Sequence, residues 1–174
     1  MATWNIDTNH SEITFKVKHL VISTVTGKFK NFEGSVESDK DDFSDAKASF
    51  SAEINSIETG NEQRDGHLKS ADFFDAGTHP TLTFKSTSMA PQGNNEFLVK
   101  GDLTIRGTTK PITLQADFGG IQQDFSGNTV AGFELNGKIN RKEFGLHWNG
   151  VTEAGGVVVS DEVRIHINVE LIRK

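Results

Sequence analysis

The chain has 174 residues, enough for one domain with a substantial core, and carries a net charge of −6 with an isoelectric point near 5.5. An acidic chain without Lys/Arg runs suits neither a nucleic-acid backbone nor an electrostatic membrane anchor, so neither is expected. Without cysteine there is no disulfide, thiolate metal site or thiol nucleophile, and 13 phenylalanines with no tyrosine must supply much of the buried area.

The opening residues Met-Ala-Thr-Trp-Asn-Ile-Asp have neither the basic nor the apolar region of a signal peptide. That predicts a cytoplasmic chain as it stands, or a periplasmic one if a leader has been trimmed. No apolar run approaches the ~20 residues of a membrane helix.

Alternation of apolar and polar residues then dominates. Ile13, Phe15 and Val17 share one face of a first strand, with His19 in phase and pointing inward near its end. A weak helical pattern covers His19–Ser23. Past Phe29 the phase slips by one and resumes with Phe32, Gly34 and Val36, which predicts a bulge near Lys30–Asn31. Ala46, Ala48, Phe50, Ala52 and Ile54 form the next inward row. After an interruption come Leu82 and Phe84, then Phe97, Val99, Gly101, Leu103 and Ile105, then Ile112, Leu114, Ala116 and Phe118. Phe133, Leu135, Gly137 and Ile139 follow, and Val163, Ile165, Ile167, Val169 and Leu171 close the chain. Each row predicts a strand buried on one face.

Turn signals fall at Asp39–Asp42, Pro91–Asn95, Gly107–Thr109, Ser126–Asn128 and Ala154–Gly156. About eight long strands with short links make a meander, which exposes two edges unless it closes. The expected fold is therefore an all-β, eight-stranded antiparallel barrel forming one domain over residues 1–174, with a two-sheet sandwich as the alternative.

The interruption is "NEQRDGHLKSADFFD", Asn61 to Asp75. It lacks β-branched residues, Thr59 and Asn61 can cap a helix, and Glu62 falls in the first turn, so a short helix is predicted over Glu62–Lys69.

The inward rows mix large and very small residues and carry almost no charge. Small residues must face a neighbour's bulk or a space, so the pattern alone fits an apolar cavity or a solid core equally well. No metal motif links the six histidines, and no cofactor is expected. Nucleophile elbows and phosphate loops are absent, and Asp65 and His67 lie two apart on the helix, pointing apart.

The segments "HSEITFKVKHL", "GKFKNFEG", "TGNEQRDGHLKSADFFDAGTHPTLTF", "GDLTIRGTTKPITL" and "INRKEFGL", in this order, resemble the YceI-like family of bacterial lipid-binding proteins. The resemblance implies a lipocalin-like barrel, often a homodimer, whose lumen holds polyisoprenoids, isoprenoid quinones or fatty amides without catalysing a reaction. It turns the inward rows into expected ligand contacts: Phe15, Val17, Phe32, Phe50, Ala52 and Ile54 from the first half of the chain, and Phe84, Phe97, Leu103, Phe133, Leu135 and Ile167 from the second. The helix would cross one mouth of the barrel, with Leu68, Phe73 and Phe74 toward the lumen. Arg64, His67 and His19 would meet a polar head group, as their donors suit a phosphate or carbonyl. A filled barrel serving protein interaction, and a lipid-modifying enzyme using His67 or His19, are the competing readings.

Overall fold

Three of the barrel's walls are built from broken strands. The computed structural model describes residues 2–20, 22–148 and 159–174. β1 (Ala2–Ile6) and β2 (Glu12–His19) are separated by a 3-10 turn at Thr8–His10, yet both pair antiparallel with the same strand, β11 (Glu162–Arg173). β3 (Ser23–Phe29) pairs with β2, and β4 (Phe32–Ser38) pairs with β1, so these two also form one wall, interrupted at Lys30–Asn31. β5 (Lys47–Glu53) and β6 (Ile57–Glu58) complete the third broken wall across a 3-10 turn at Ile54–Ser56.

β7 (Thr81–Gly93), β8 (Glu96–Ile105), β9 (Thr108–Gln123) and β10 (Thr129–Asn140) then run as a meander to β11. The pairing of Trp4 with Arg173 and of Ile6 with Leu171 closes the sheet. The result is an eight-walled antiparallel barrel with sequence neighbours adjacent throughout. Closure satisfies the backbone groups that a sandwich would leave along its edges.

The turns follow local chemistry. Asn94-Asn95 joins β7 to β8, and Arg106-Gly107 joins β8 to β9. Both residues of each pair have positive φ, as two-residue hairpins with the sheet's twist require. The predicted Pro91–Asn95 turn is thus shorter: β7 continues through Pro91, where the ladder register shifts and the missing N–H is tolerated. The predicted Gly107–Thr109 turn likewise begins one residue earlier. His19–Ser23 is not a helix. His19 pairs with Ser23 across a tight hairpin, and Leu20 takes φ +53°. The predicted turn at Ala154–Gly156 lies outside the described residues.

The one α-helix, α1 (Glu62–Lys69), has the predicted bounds, and the Asn61 side chain accepts the Arg64 N–H as its cap. The strand directions place α1, the β2–β3 hairpin and the β8–β9 turn at one end of the barrel. The β4–β5 loop and the β9–β10 hairpin lie at the other.

Candidate functional site

The barrel encloses an elongated cavity of about 610 Å³. At its lower end Phe43, from the β4–β5 loop, is fully buried. Its ring centroid lies 5.1 Å from that of Trp4, 5.3 Å from Phe118 and 5.0 Å from Phe133, and Phe118 stacks on Phe133 at 4.9 Å. This aromatic cluster stops the lumen from below. The Asp45 carboxylate holds the loop, accepting from Ser38 Oγ at 2.8 Å, Asp39 N at 2.9 Å and Lys40 N at 3.3 Å. These hydrogen bonds, the Asp39 N–H foremost, hold the Asp45 pKa below the usual carboxylate range.

Small inward residues make the walls thin. Gly27 is opposite Phe15, and the far edge of that ring occupies the place a Cβ of Gly27 would take, with Cε2 at 2.7 Å. The Phe84 ring lies over Gly101 in the same way, and Leu114 over Gly137. Each bulky side chain thus leans on the neighbouring strand and leaves the axis open, and among the described residues no carboxylate lines the cavity. Side chains therefore do not fill the barrel axis, which is at odds with the solid core of the filled-barrel alternative.

Polar groups gather at the upper mouth. His67 Nε2 is 2.8 Å from Asp72 Oδ2, and the His67 ring sits edge-on to Trp148 at 4.7 Å and Phe73 at 5.1 Å. Arg64 donates from Nε to Thr59 Oγ1 and from Nη2 to Thr59 O, each at 2.7 Å. Asp65 accepts from Thr59 N at 2.8 Å. Arg64 and Asp65 therefore fasten the helix to its own lead-in at Thr59, and Asp65 and His67 face different partners, as their spacing predicts.

Arg141, on a 3-10 turn after β10 within the segment INRKEFGL, is 2 % exposed. Its guanidinium donates to the carbonyls of Leu146 (2.6 Å), Trp148 (2.7 Å) and Ser160 (2.9 Å). Burial pulls its pKa down while Asp161 opposes the shift.

Of the residues expected to meet a ligand, Phe15, Val17, Phe50, Leu68, Phe73 and Phe74 border the cavity, as do Phe84, Leu103, Phe133, Leu135 and Ile167. Arg64, His67 and His19 are at its mouth. Four others lie elsewhere. Phe97 is buried in a side cluster with Val99 and Leu114, Ala52 is covered by larger neighbours, and Ile54 leaves the strand on a 3-10 turn. Phe32 follows the bulge, packs on Phe50 at 6.1 Å and borders a polar surface groove near Thr8–Glu12. Phe43, Val159 and Trp148 border the cavity without having been anticipated; only the apolar character of Phe43 amid the acidic turn was a signal. Outside the cavity, Asp7, His10 and Glu170 bring ligand atoms within 4.8 Å of one another, but His10 Nδ1 is already 2.7 Å from Asp7 Oδ2.

The model of the YceI-like domain matches residues 4–171. The chain belongs to the YceI-like family. A UPF0312 protein of Staphylococcus epidermidis is 38% identical over 171 residues, covering 98% of this chain and 97% of its own. The YCEI protein of Campylobacter jejuni has a TM-score of 0.77 at 35% identity over 90% of both chains. BcnA of Burkholderia cenocepacia superposes with a TM-score of 0.80 at 25% identity, covering 95% of this chain and 98% of that one. A polyisoprenoid binding domain from Saccharophagus degradans has the same fold, with a TM-score of 0.67 at 16% identity over 98% of each chain.

Proposed function

We propose that this YceI-like barrel holds a long-chain amphiphilic lipid, of the polyisoprenoid, isoprenoid quinone or fatty amide class, for transport, storage or sequestration and without altering it. The observation that carries this reading is the apolar cavity of about 610 Å³, stopped below by Phe43 and bordered by α1 at its upper end. The polyisoprenoid binding named for the structural neighbour from Saccharophagus degradans agrees with it.

The energetics favour the tail. Each CH₂ removed from water contributes about 0.8 kcal/mol, so a twenty-carbon chain gains roughly 16 kcal/mol gross. Association and ordering cost about 4–15 kcal/mol of that. Binding thus needs no strong polar contact. At the mouth Arg64 has used two of its five donors on Thr59, leaving the others for a phosphate or carbonyl.

Mass spectrometry of organic extracts from the purified protein tests the proposal. A single unmodified long-chain species, released on denaturation and unchanged after long incubation, is expected. Protein that neither carries a lipid nor takes one up when offered would overturn the reading. Conversion of the lipid, lost in His67→Ala with binding retained, would favour the enzyme instead.

A further inference from the structure

Large apolar side chains exposed to water are few among the described residues: Leu20 (37 %), Ile22 (85 %) and Phe125 (112 %). Two of the three sit on one hairpin tip. Leu20 and Ile22 cap the β2–β3 hairpin, one step beyond His19, which lines the cavity mouth.

The same hairpin is distinct in charge. Between Glu12 and Glu33 the sequence has four lysines (16, 18, 28 and 30) and no acidic residue, in a chain whose net charge is −6. The lysines form no run, but strand alternation gathers them. Lys16 and Lys18 both alternate out of the inward row of β2, with Lys18 also bordering the cavity mouth, and β11 sets Arg164 opposite Lys16; Lys28, opposite Thr14, lies toward the far end of the hairpin. Three nearby carboxylates have partners: Glu58 is 2.6 Å from Lys30, Glu162 is 3.6 Å from Arg164, and Glu134 is 2.9 Å from His166. Among the described residues no ion pair involves Lys16, Lys18 or Lys28.

An apolar tip flanked by cations is the chemistry of a segment that lies in the interface of an anionic bilayer. We infer that the β2–β3 hairpin docks the barrel, mouth first, on an anionic membrane surface, with Leu20 and Ile22 in the acyl boundary and Lys16 and Lys18 among the head groups. The inference rests on the lipid-holding reading, because it gives the tail a route between bilayer and lumen that avoids bulk water.

The test is co-sedimentation of the full chain with vesicles of phosphatidylcholine alone or with phosphatidylglycerol. The wild type binds the anionic vesicles and is released by salt. Leu20→Ser/Ile22→Ser lowers partitioning at least about tenfold. Lys16→Ser/Lys18→Ser lowers it by roughly fivefold per lysine on anionic vesicles only. Phe125→Ser, at the opposite end, changes nothing. Wild type that ignores both vesicle types, or tip substitutions that abolish a dimer rather than vesicle binding, would overturn the inference. Loading from a dilute lipid solution without vesicles, which Leu20→Ser/Ile22→Ser retains, separates failure of docking from failure of the lipid-holding reading.

Discussion

The edge of the Phe15 ring occupies the space a side chain on Gly27 would need, and the three atoms nearest that space all belong to the ring. Gly27→Ala must therefore swing Phe15 toward the lumen, whereas the backbone can stay in place. The expected result is little change in unfolding free energy but reduced uptake of the longest lipids, read by competing chains of graded length. Gly101→Ala differs, because Lys85 O lies 2.5 Å from the added carbon and cannot rotate away. That variant should lose about 1–3 kcal/mol in urea denaturation.

Phe43 closes the lower end with its ring while its backbone sits at φ +60°, a conformation uncommon for a bulky residue. Phe43→Ala should cost about 3–5 kcal/mol in denaturant unfolding. It should also open the lumen from below, seen as faster release of a bound fluorescent fatty acid.

The Asp45 anchor makes this plug acid-sensitive. Its folded pKa lies below the unfolded one, so its contribution is complete above the ordinary carboxylate pKa and is lost as pH falls through the depressed value. Asp42 and Asp124 shift in the same direction through turn N–H groups of Ser44 and Asn128. Thermal unfolding followed from pH 6 to pH 2 should show stability falling below about pH 4. Asp45→Asn should flatten part of that fall; an unchanged profile would remove Asp45 from the account.

Arg141→Lys retains the charge but loses the fork that spans Leu146, Trp148 and Ser160. With charged hydrogen bonds worth about 1.5–3 kcal/mol each, a loss of roughly 2–4 kcal/mol in unfolding free energy is expected. Trp148 emission should shift red as its backbone tether goes.

Lipids of equal length but different heads should bind within about tenfold of one another, because tail burial dominates. His67→Ala removes two aromatic edge contacts, each worth about 0.5–1.5 kcal/mol, and should weaken binding several-fold without changing the mass of the lipid recovered. A head preference of a thousandfold would show that the mouth, not the lumen, sets affinity.

The wall pattern was legible because period-two alternation reports inside from outside, and the slip between Phe29 and Phe32 marks the observed break. Depth within the interior was not. Phe97 and Ala52 have the inward phase yet lie behind other side chains, since alternation says nothing of what stands in front of a residue. Ile54 kept the phase in sequence but turned out of the strand. Phe43 was hidden for the opposite reason: its burial comes from a long-range meeting with Trp4, Phe118 and Phe133 that no local pattern encodes. The outer lysines escaped notice because charge was sought as a run, whereas a strand collects it at every second position.

The aromatic stopper makes the lumen a blind alley. On the lipid-holding reading, tail and head cannot thread through from opposite doors, so a guest should enter tail first and back out the way it came. A newcomer cannot push the resident from behind. Exchange should accordingly proceed at a rate fixed by departure alone, independent of how much competing lipid waits outside.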